Sequence, residues 1–361
     1  MGKLLSSYKK AIYDEIVTNI TSNTSQYYAF AANPIAYSNT APAVSDDDYS
    51  TIFLNDWQLL FGKKLANTNI YPVINKNIWS SNTIYDRYDN TSNTLHTADK
   101  FYVITNPSVV GGPYHIYKCV DNANGSVSTV DPSSIGTPTQ QATFQTGDNY
   151  KWRYITSVSN QIYTNFSTDA FAPVYPNSSI VTNALTYSGV ETIMISNTGS
   201  GYDSYSNGTV RAVVNSTLIQ IESYSSGDNN FYTNNAIYIY NTIAATSQIR
   251  NVASYISNTS GKWVYLDTPA NTTNITASVT KYLISPKVVF DTDGNLPVAY
   301  SVVNTSSNSI ASIVILDPGS NISRANVSIQ SNTNYGSGAN LYAIVPPAGG
   351  HGADPATELN M

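Results

Sequence analysis

Three histidines, His96, His115 and His351, and one cysteine, Cys119, are the residues best suited to nucleophilic chemistry. A hydrolytic triad needs a histidine beside a nucleophile and an acid that orients it. No Gly-x-Ser-x-Gly elbow occurs to supply the serine. His96 stands in the polar run Thr94-Leu95-His96-Thr97, and His115 in the middle of an aromatic stretch. His351 lies in a glycine-rich tail, where Gly349-Gly350 imitates an oxyanion loop with nothing to serve. Cys119 reads as a buried, inert thiol; one cysteine makes neither an internal disulfide nor a thiolate metal site.

The acidic clusters are equally poor in chemistry. Asp46-Asp47-Asp48 reads as a solvated loop or a helix start, where negative charge suits the dipole. Asp291-Thr292-Asp293-Gly294-Asn295 begins like a calcium loop, but its glycine comes too early and no closing glutamate follows. The apolar runs on either side make it a hairpin turn. Paired carboxylates for glycoside cleavage would come from distant strands, and glutamate is scarce: Glu15, Glu191, Glu222 and Glu358. No phosphate-binding Gly-Lys-Ser/Thr loop or dinucleotide fingerprint is present. The chain is expected to be no enzyme and to carry no cofactor or metal.

Composition narrows the class. Charged residues are only 11% of the 361, replaced by Asn, Ser and Thr, with 29 Tyr. Tyrosine gives large contact area with a polar tip, which suits a β-protein that packs against other proteins. Apolar residues reach 41% in short runs, too many for a disordered chain. The net charge of −6 and scattered basic residues argue against nucleic-acid binding. No stretch approaches the ~20 apolar residues of a membrane-spanning helix, and Lys9, Lys10, Asp14 and Glu15 interrupt any secretory pattern.

The elements follow from periodicity. Leu5, Tyr8, Ile12, Ile16 and Ile20 recur at helical spacing over residues 3–21 and share one face. Such a helix caps its own domain or packs on a neighbouring chain, and the first is expected here. Asn55 or Asp56 is placed to cap a short helix through Trp57 to Phe61, with Gly62 as its stop. Strands are expected at 27–31, 70–74, 77–79, 83–89 and 101–104, then at 113–122 and 150–155. In the last two, Tyr114, Ile116, Lys118 and Val120 face one way and His115, Tyr117 and Cys119 the other. Trp152 and Tyr154 share a face opposite Lys151 and Arg153. Gly147-Asp148-Asn149 is a tight turn into the second of them.

Residues 160–185 read as a connector and set a domain boundary near 180. Beyond it an internal repeat appears at a constant offset of 120. Val190, Ile193, Ile195, Asn197, Gly199 and Ser200 line up with Ile310, Ile313, Ile315, Asp317, Gly319 and Ser320. The organisation expected is a helix-plus-β domain over 1–180, then an all-β domain over 181–345. The second would hold two related units, about 187–214 and 307–345, and an extended tail would follow over 346–361. The fold class is mainly β, with two-layer, sandwich-like β domains and an N-terminal amphipathic helix.

Several of these motifs, in this order, resemble one family. Trp57 with Phe61-Gly62-Lys63-Lys64 comes first, then Trp79 and Ile84-Tyr85-Asp86-Arg87-Tyr88-Asp89, then Phe101-Tyr102-Val103. Tyr114-His115-Ile116-Tyr117-Lys118-Cys119-Val120-Asp121-Asn122 and Gly147-Asp148-Asn149-Tyr150-Lys151-Trp152-Arg153-Tyr154 complete the set. Together they look like the baseplate wedge subunit of T4-type contractile phage tails, the gene product 8 family, and most of all its members from marine cyanophages. The likeness covers roughly residues 1–175; the tail Pro346-Pro347-Ala348-Gly349-Gly350-His351-Gly352-Ala353-Asp354-Pro355 resembles longer marine members.

The resemblance implies a structural virion protein of the tail baseplate, made in the host cytoplasm, without membrane insertion. Its partners would be a second copy, as a homodimer, and other wedge proteins. It would cross-link its neighbours and relay a change of shape during host attachment. Trp57, Trp79, Tyr85, Tyr117, Lys118, Cys119, Gly147, Asp148, Tyr150, Trp152 and Tyr154 are then structural positions of the family motif. The alternative is a receptor- or glycan-binding tail protein, with exposed Tyr and Trp stacking on sugars.

Overall fold

A computed structural model describes residues 5–22, 26–32, 49, 59–92, 94, 100–135, 142–330 and 335–361. Strand outweighs helix, 42% to 15%, in several antiparallel sheets. The chain is mainly β with an N-terminal helix, as its composition and periodicity led one to expect.

Helix α1 (Ser6–Thr21) opens the chain. It packs on its own chain, but its apolar stripe is turned mostly away from the body. Leu5, Tyr8, Ile12 and Ile16 are 59, 57, 44 and 46% exposed, and only Ile20 is buried. The helix is held by the neighbouring face instead: Lys9 Nζ donates to the Met361 carbonyl at 2.6 Å and the Tyr13 hydroxyl to that of Ile70 at 3.4 Å. Strands β1 (Tyr28–Ala32) and β2 (Leu59–Lys64) form an antiparallel pair. The expected helix ending at Gly62 is therefore corrected over its described part. Gly62 sits opposite Phe30 within the ladder, and long-range pairing overrides the local helical pattern. Trp57 and the rest of that expected helix, with Asp46–Asp48 and His96, lie outside the described residues.

The N-terminal body is built on β3 (Val73–Asn75), β4 (Tyr102–Thr105), β5 (Tyr114–Asp121), β6 (Phe144–Gln145), β7 (Lys151–Val158) and β8 (Phe171–Pro173). Its main sheet runs β4-β5-β7-β6, and β3 pairs with β8. Residues 83–89, expected as a strand, are irregular apart from a bridge at Thr83. The connector is partly helical, with α2 (Asn160–Phe166) and α3 (Ser178–Asn183), capped by the Ser159 and Asn177 side chains.

A second core lies in a seven-stranded sheet. Its strands are β10 (Ser206–Thr209), β11 (Ala212–Asn215), β12 (Leu218–Ile221), β13 (Ala236–Asn241), β14 (Thr246–Asn258), β15 (Gly261–Leu266) and β16 (Lys281–Ser285), in the order β10-β16-β13-β14-β15-β12-β11. The two edge strands are neighbours in sequence. Val210 and Arg211 join them, and their amides bond Thr280 and Gln220 on the two sides. The sheet thus curls round, barrel-like, so that its two edge strands meet at this bend. Long β14 permits this by pairing with β13 through one half and, past a bulge near Val252, with β15 through the other. Val210, Ile219, Ile237, Tyr255, Val264 and Tyr282 fill the interior.

This barrel is an insertion. β9 (Thr192–Ser200) precedes it, and β17 (Lys287–Thr292), β18 (Val298–Asn304), β19 (Ser309–Asp317), β20 (Ala325–Gln330) and β21 (Ser337–Ile344) follow. β9 pairs with β21, β17 with β20 and β18 with β19, around a third core that includes Val190, Val288, Ile322 and Leu341. Asp291–Asn295 is accordingly no hairpin turn, because β17 and β18 pair with other strands.

The two Ile-x-Ile runs are both strands, β9 and β19. Each runs into the same turn: Gly199 N–H donates to Asn197 Oδ1 and Gly319 N–H to Asp317 Oδ1, both at 2.9 Å. The glycines have φ of 62° and 73°, the left-handed region that favours glycine. Tyr202 N–H bonds Asn308 O, and Ile322 N–H bonds Ser188 O, a reciprocal exchange at the same 120-residue offset. The units are nevertheless cut differently from the expected 187–214 and 307–345. β9 pairs with the last strand of the other copy, while β10 and β11 belong to the barrel.

The last segment departs most from expectation. Residues 346–361 are not an extended tail. They fold back over the N-terminal sheet and end in the short helix α4 (Pro355–Glu358). Ala356 and Leu359 join Ile116, Ile155 and Val174 in the N-terminal core.

Candidate functional site

The two strands of the motif place their side chains on two buried faces. On one, Tyr117 and Cys119 stand opposite Tyr154 and Trp152, as alternation requires. Tyr85, Tyr150 and Trp79 close over them. Tyr150 stacks on Trp152 with centroids 5.5 Å apart, and Tyr85 meets Trp152 edge-on at 5.8 Å. The polar tips are tied down. Tyr150 Oη donates to Ser126 O at 2.5 Å, Tyr85 Oη to Ser80 O at 3.2 Å, and Trp79 Nε1 to Ser128 Oγ at 3.2 Å. Burial pushes the Cys119 thiol well above its ordinary value, which disfavours the thiolate.

Asp148 organises the turn and the long loop behind it. Its carboxylate accepts from Thr129 N (2.7 Å), Val130 N (3.0 Å) and Ser128 Oγ (3.1 Å), and from the Thr146 hydroxyl. Partial burial pushes its pKa up, but these donors outweigh it and hold it below the usual carboxylate range. Gly147 lies beside it, with room for a Cβ. His115, half-buried, packs edge-on against Tyr154, and burial lowers its pKa.

The opposite face carries charge. Lys118 and Arg153 are direct cross-strand partners on β5 and β7. Lys118 is fully buried; its Nζ lies 2.6 Å from Glu358 Oε1, an ion-pair contact off hydrogen-bond alignment, and 3.6 Å from the centroid of the Tyr88 ring. His351 stands between two carboxylates, with Nδ1 2.5 Å from Glu358 Oε1 and Nε2 3.3 Å from Glu191 Oε1. Arg153 Nη1 reaches the same Glu191 oxygen at 3.3 Å, and Nη2 donates to Tyr187 O at 2.9 Å. The Thr143 hydroxyl and the Gly352 amide satisfy the remaining carboxylate oxygens.

The result is a line of five charged or titratable side chains, Lys118–Glu358–His351–Glu191–Arg153, each 5% exposed or less. It joins the N-terminal sheet, the approach to β9 and the C-terminal segment. Burial pushes the Glu191 carboxyl up, but Arg153, His351 and Thr143 overcome this and bring it to about 2. Glu358 is likewise brought to about 2 by Lys118 and His351 against burial. Burial lowers the Lys118 pKa, and Glu358 only partly offsets that.

As chemistry, the line is closed. Both His351 nitrogens face carboxylates, and the sole thiol is across the sheet. Cavities lie at its ends: one of about 490 Å³ between α1 and the C-terminal segment, reaching Tyr88 and Lys118, and one of about 230 Å³ beside Arg153 and Glu191. Neither reaches His351. Among the described residues, no group of three His, Cys, Asp or Glu is placed to hold a metal. At the Asp291–Asn295 turn the carboxylates are already used: Asp293 accepts from Ser323 N and Arg324 N at 3.0 Å each, and Asp291 pairs with Arg324 at 3.1 Å.

Of the eleven motif positions, seven thus gather on the aromatic face, Gly147 and Asp148 form the adjoining turn, Lys118 alone enters the charge line, and Trp57 lies outside the described residues. Sequence reasoning missed Arg153, Glu191, His351 and Glu358 as a group. Glutamate scarcity was the usable signal. Three of the four glutamates, Glu191, Glu222 and Glu358, have buried, cation-paired carboxylates. Against known proteins, no family model matches the chain, and no curated protein matches it either.

Proposed function

We propose that this chain is a structural subunit of a contractile phage tail baseplate, a wedge component that binds a second copy of itself and neighbouring wedge proteins. It acts by holding chains in register and passing on a change of shape during attachment. One observation carries the reading. The N-terminal elements present apolar side chains outward on a body that seals a line of five charged or titratable side chains inside. Leu5 at the cap of α1 and Tyr8, Ile12 and Ile16 within it do so, as do Phe30, Leu60 and Phe61 of the β1–β2 pair, all more than 40% exposed. Large apolar side chains exposed together along one element mark a contact made with another chain. The ordered motifs of the first 175 residues favour the wedge family over other assemblies, and the charge line gives a body stiff enough to transmit movement.

The test is compositional. Baseplates isolated from the phage that encodes this chain are analysed by mass spectrometry and labelled with an antibody against it. Stoichiometric presence at the tail end supports the reading; absence from purified particles overturns it.

A further inference from the structure

Closed to outside reactants, the charge line nevertheless contains both halves of an amide. Lys118 Nζ lies 2.6 Å from Glu358 Oε1, and neither side chain is more than 2% exposed. The amine makes no aligned hydrogen bond there. Its other close neighbours are the rings of Tyr88 and Phe101, with centroids at 3.6 and 5.8 Å, and they offer it no base.

The groups around Glu358 are placed as an acyl transfer requires. His351 Nδ1 meets the same oxygen, Oε1, at 2.5 Å. The Gly352 amide donates to the other oxygen, Oε2, at 2.7 Å. Oε1 is thus the oxygen to be protonated and lost, and Oε2 the one whose negative charge a fixed donor steadies. Glu191 Oε1, 3.3 Å from His351 Nε2, orients the imidazole from behind. The cavity of about 490 Å³ between α1 and the C-terminal segment borders both Lys118 and Glu358 and gives a released water an exit.

From this geometry we infer that Lys118 and Glu358 join as an isopeptide, a covalent amide from Nζ to Cδ that ties β5 to the C-terminal segment. Lys118 gives one ammonium proton to Oε1, and the freed lone pair attacks Cδ. The Cδ–Oε1 bond breaks as His351 gives its Nδ1 proton to Oε1 and takes the proton shed by the new amide nitrogen. In net, two of the three ammonium protons leave with Oε1 as water and the third stays on nitrogen; nothing is oxidised or reduced. Burial lowers the Lys118 pKa and so favours the free amine. Glu358 is ionised at rest, so the protons that make Oε1 a leaving group come from Lys118 and His351. The product removes two opposite charges from an interior that penalises both. Groups held in place reach effective molarities of about 10⁵–10⁸ M, which a dissolved amine and carboxylate lack. The ion pair is the state of the newly folded chain and the amide its matured state. The inference is independent of the baseplate reading and stands or fails with the isolated chain.

The test is intact-mass spectrometry of the denatured full chain, fresh and after prolonged incubation at neutral pH, followed by fragmentation of a proteolytic digest. A growing share of the chain should be lighter by one water, with a branched peptide joining Lys118 to Glu358. The same chain incubated unfolded in urea should keep its full mass, as should Lys118→Met. His351→Asn, shown to be folded by circular dichroism, should lose water about a hundredfold more slowly or worse. A natural chain that keeps its full mass after incubation overturns the inference. So does a loss of water that the digest maps elsewhere, as to a succinimide at Asp293-Gly294. Loss at the natural rate in folded His351→Asn overturns the proton path.

Discussion

The sheet β4-β5-β7-β6 and the helix α1 solve opposite problems. The sheet takes charged side chains inside and matches each with an opposite charge. The helix turns isoleucine, leucine and tyrosine outward, and among the described residues nothing buries them. Lys118 and Glu358 are essentially sealed from water, while Leu5 and Tyr8 keep more than half of their surface open. The contrast separates what holds the molecule together from what it offers to others. A buried ion pair adds little net stability over a well-packed apolar pair, yet losing one member is severe, so it fixes one arrangement of its segments. An exposed apolar stripe adds little to the monomer and, under the proposed role, would gain its value on association.

The largest effect expected is at the charge line. Glu358→Leu leaves Lys118 buried without its counter-ion and should cost about 3–5 kcal/mol of stability in urea denaturation. The double variant Lys118→Met with Glu358→Leu should recover most of that loss, since it removes both charges. If the single and double variants are equally damaged, the pair is not the unit described.

Acid should act on the same line. Glu191 and Glu358 are held at about 2, below the ordinary glutamate value of ~4.3. A depressed carboxylate contributes stability that is present above the unfolded value and lost as pH falls through the folded one. Stability should therefore decline from near pH 4.5 toward pH 2. Hydrogen exchange should show the 346–361 segment losing protection with it; a decline that spares this segment would break the link.

A smaller loss, about 1–3 kcal/mol, is expected for Asp148→Ala, which strips the acceptor from the Thr129 and Val130 amides. On the helix, Ile12→Asp should change monomer stability by no more than about 0.5 kcal/mol, because the residue faces water. A large loss there would mean that the stripe is packed within its own chain and would erase the contrast.

Legibility followed the range of the interactions. Alternation in β5 and β7 is a nearest-neighbour property, and the facing of Tyr117, Cys119, Trp152 and Tyr154 could be read directly from it. The stripe on α1 was visible as a shared face, but periodicity cannot say whether that face meets the body or a partner. The helix expected to end at Gly62 failed because β1, some thirty residues earlier, supplies ladder partners that local propensity ignores. The charge line was least visible. Its members come from residues 118, 153, 191, 351 and 358, and His351 sits among glycines that suggest an unstructured end. There Gly350 and Gly352 instead allow close backbone contact with Ala184 and Ile155, at positive φ.

Sedimentation equilibrium of the purified chain beside its Ile12→Asp variant tests the central claim that the outward apolar face exists to bind another chain. The account predicts a dimer for the natural sequence and a folded monomer for the variant. A natural chain that stays monomeric at every concentration, with no wedge protein able to bind it, would contradict it.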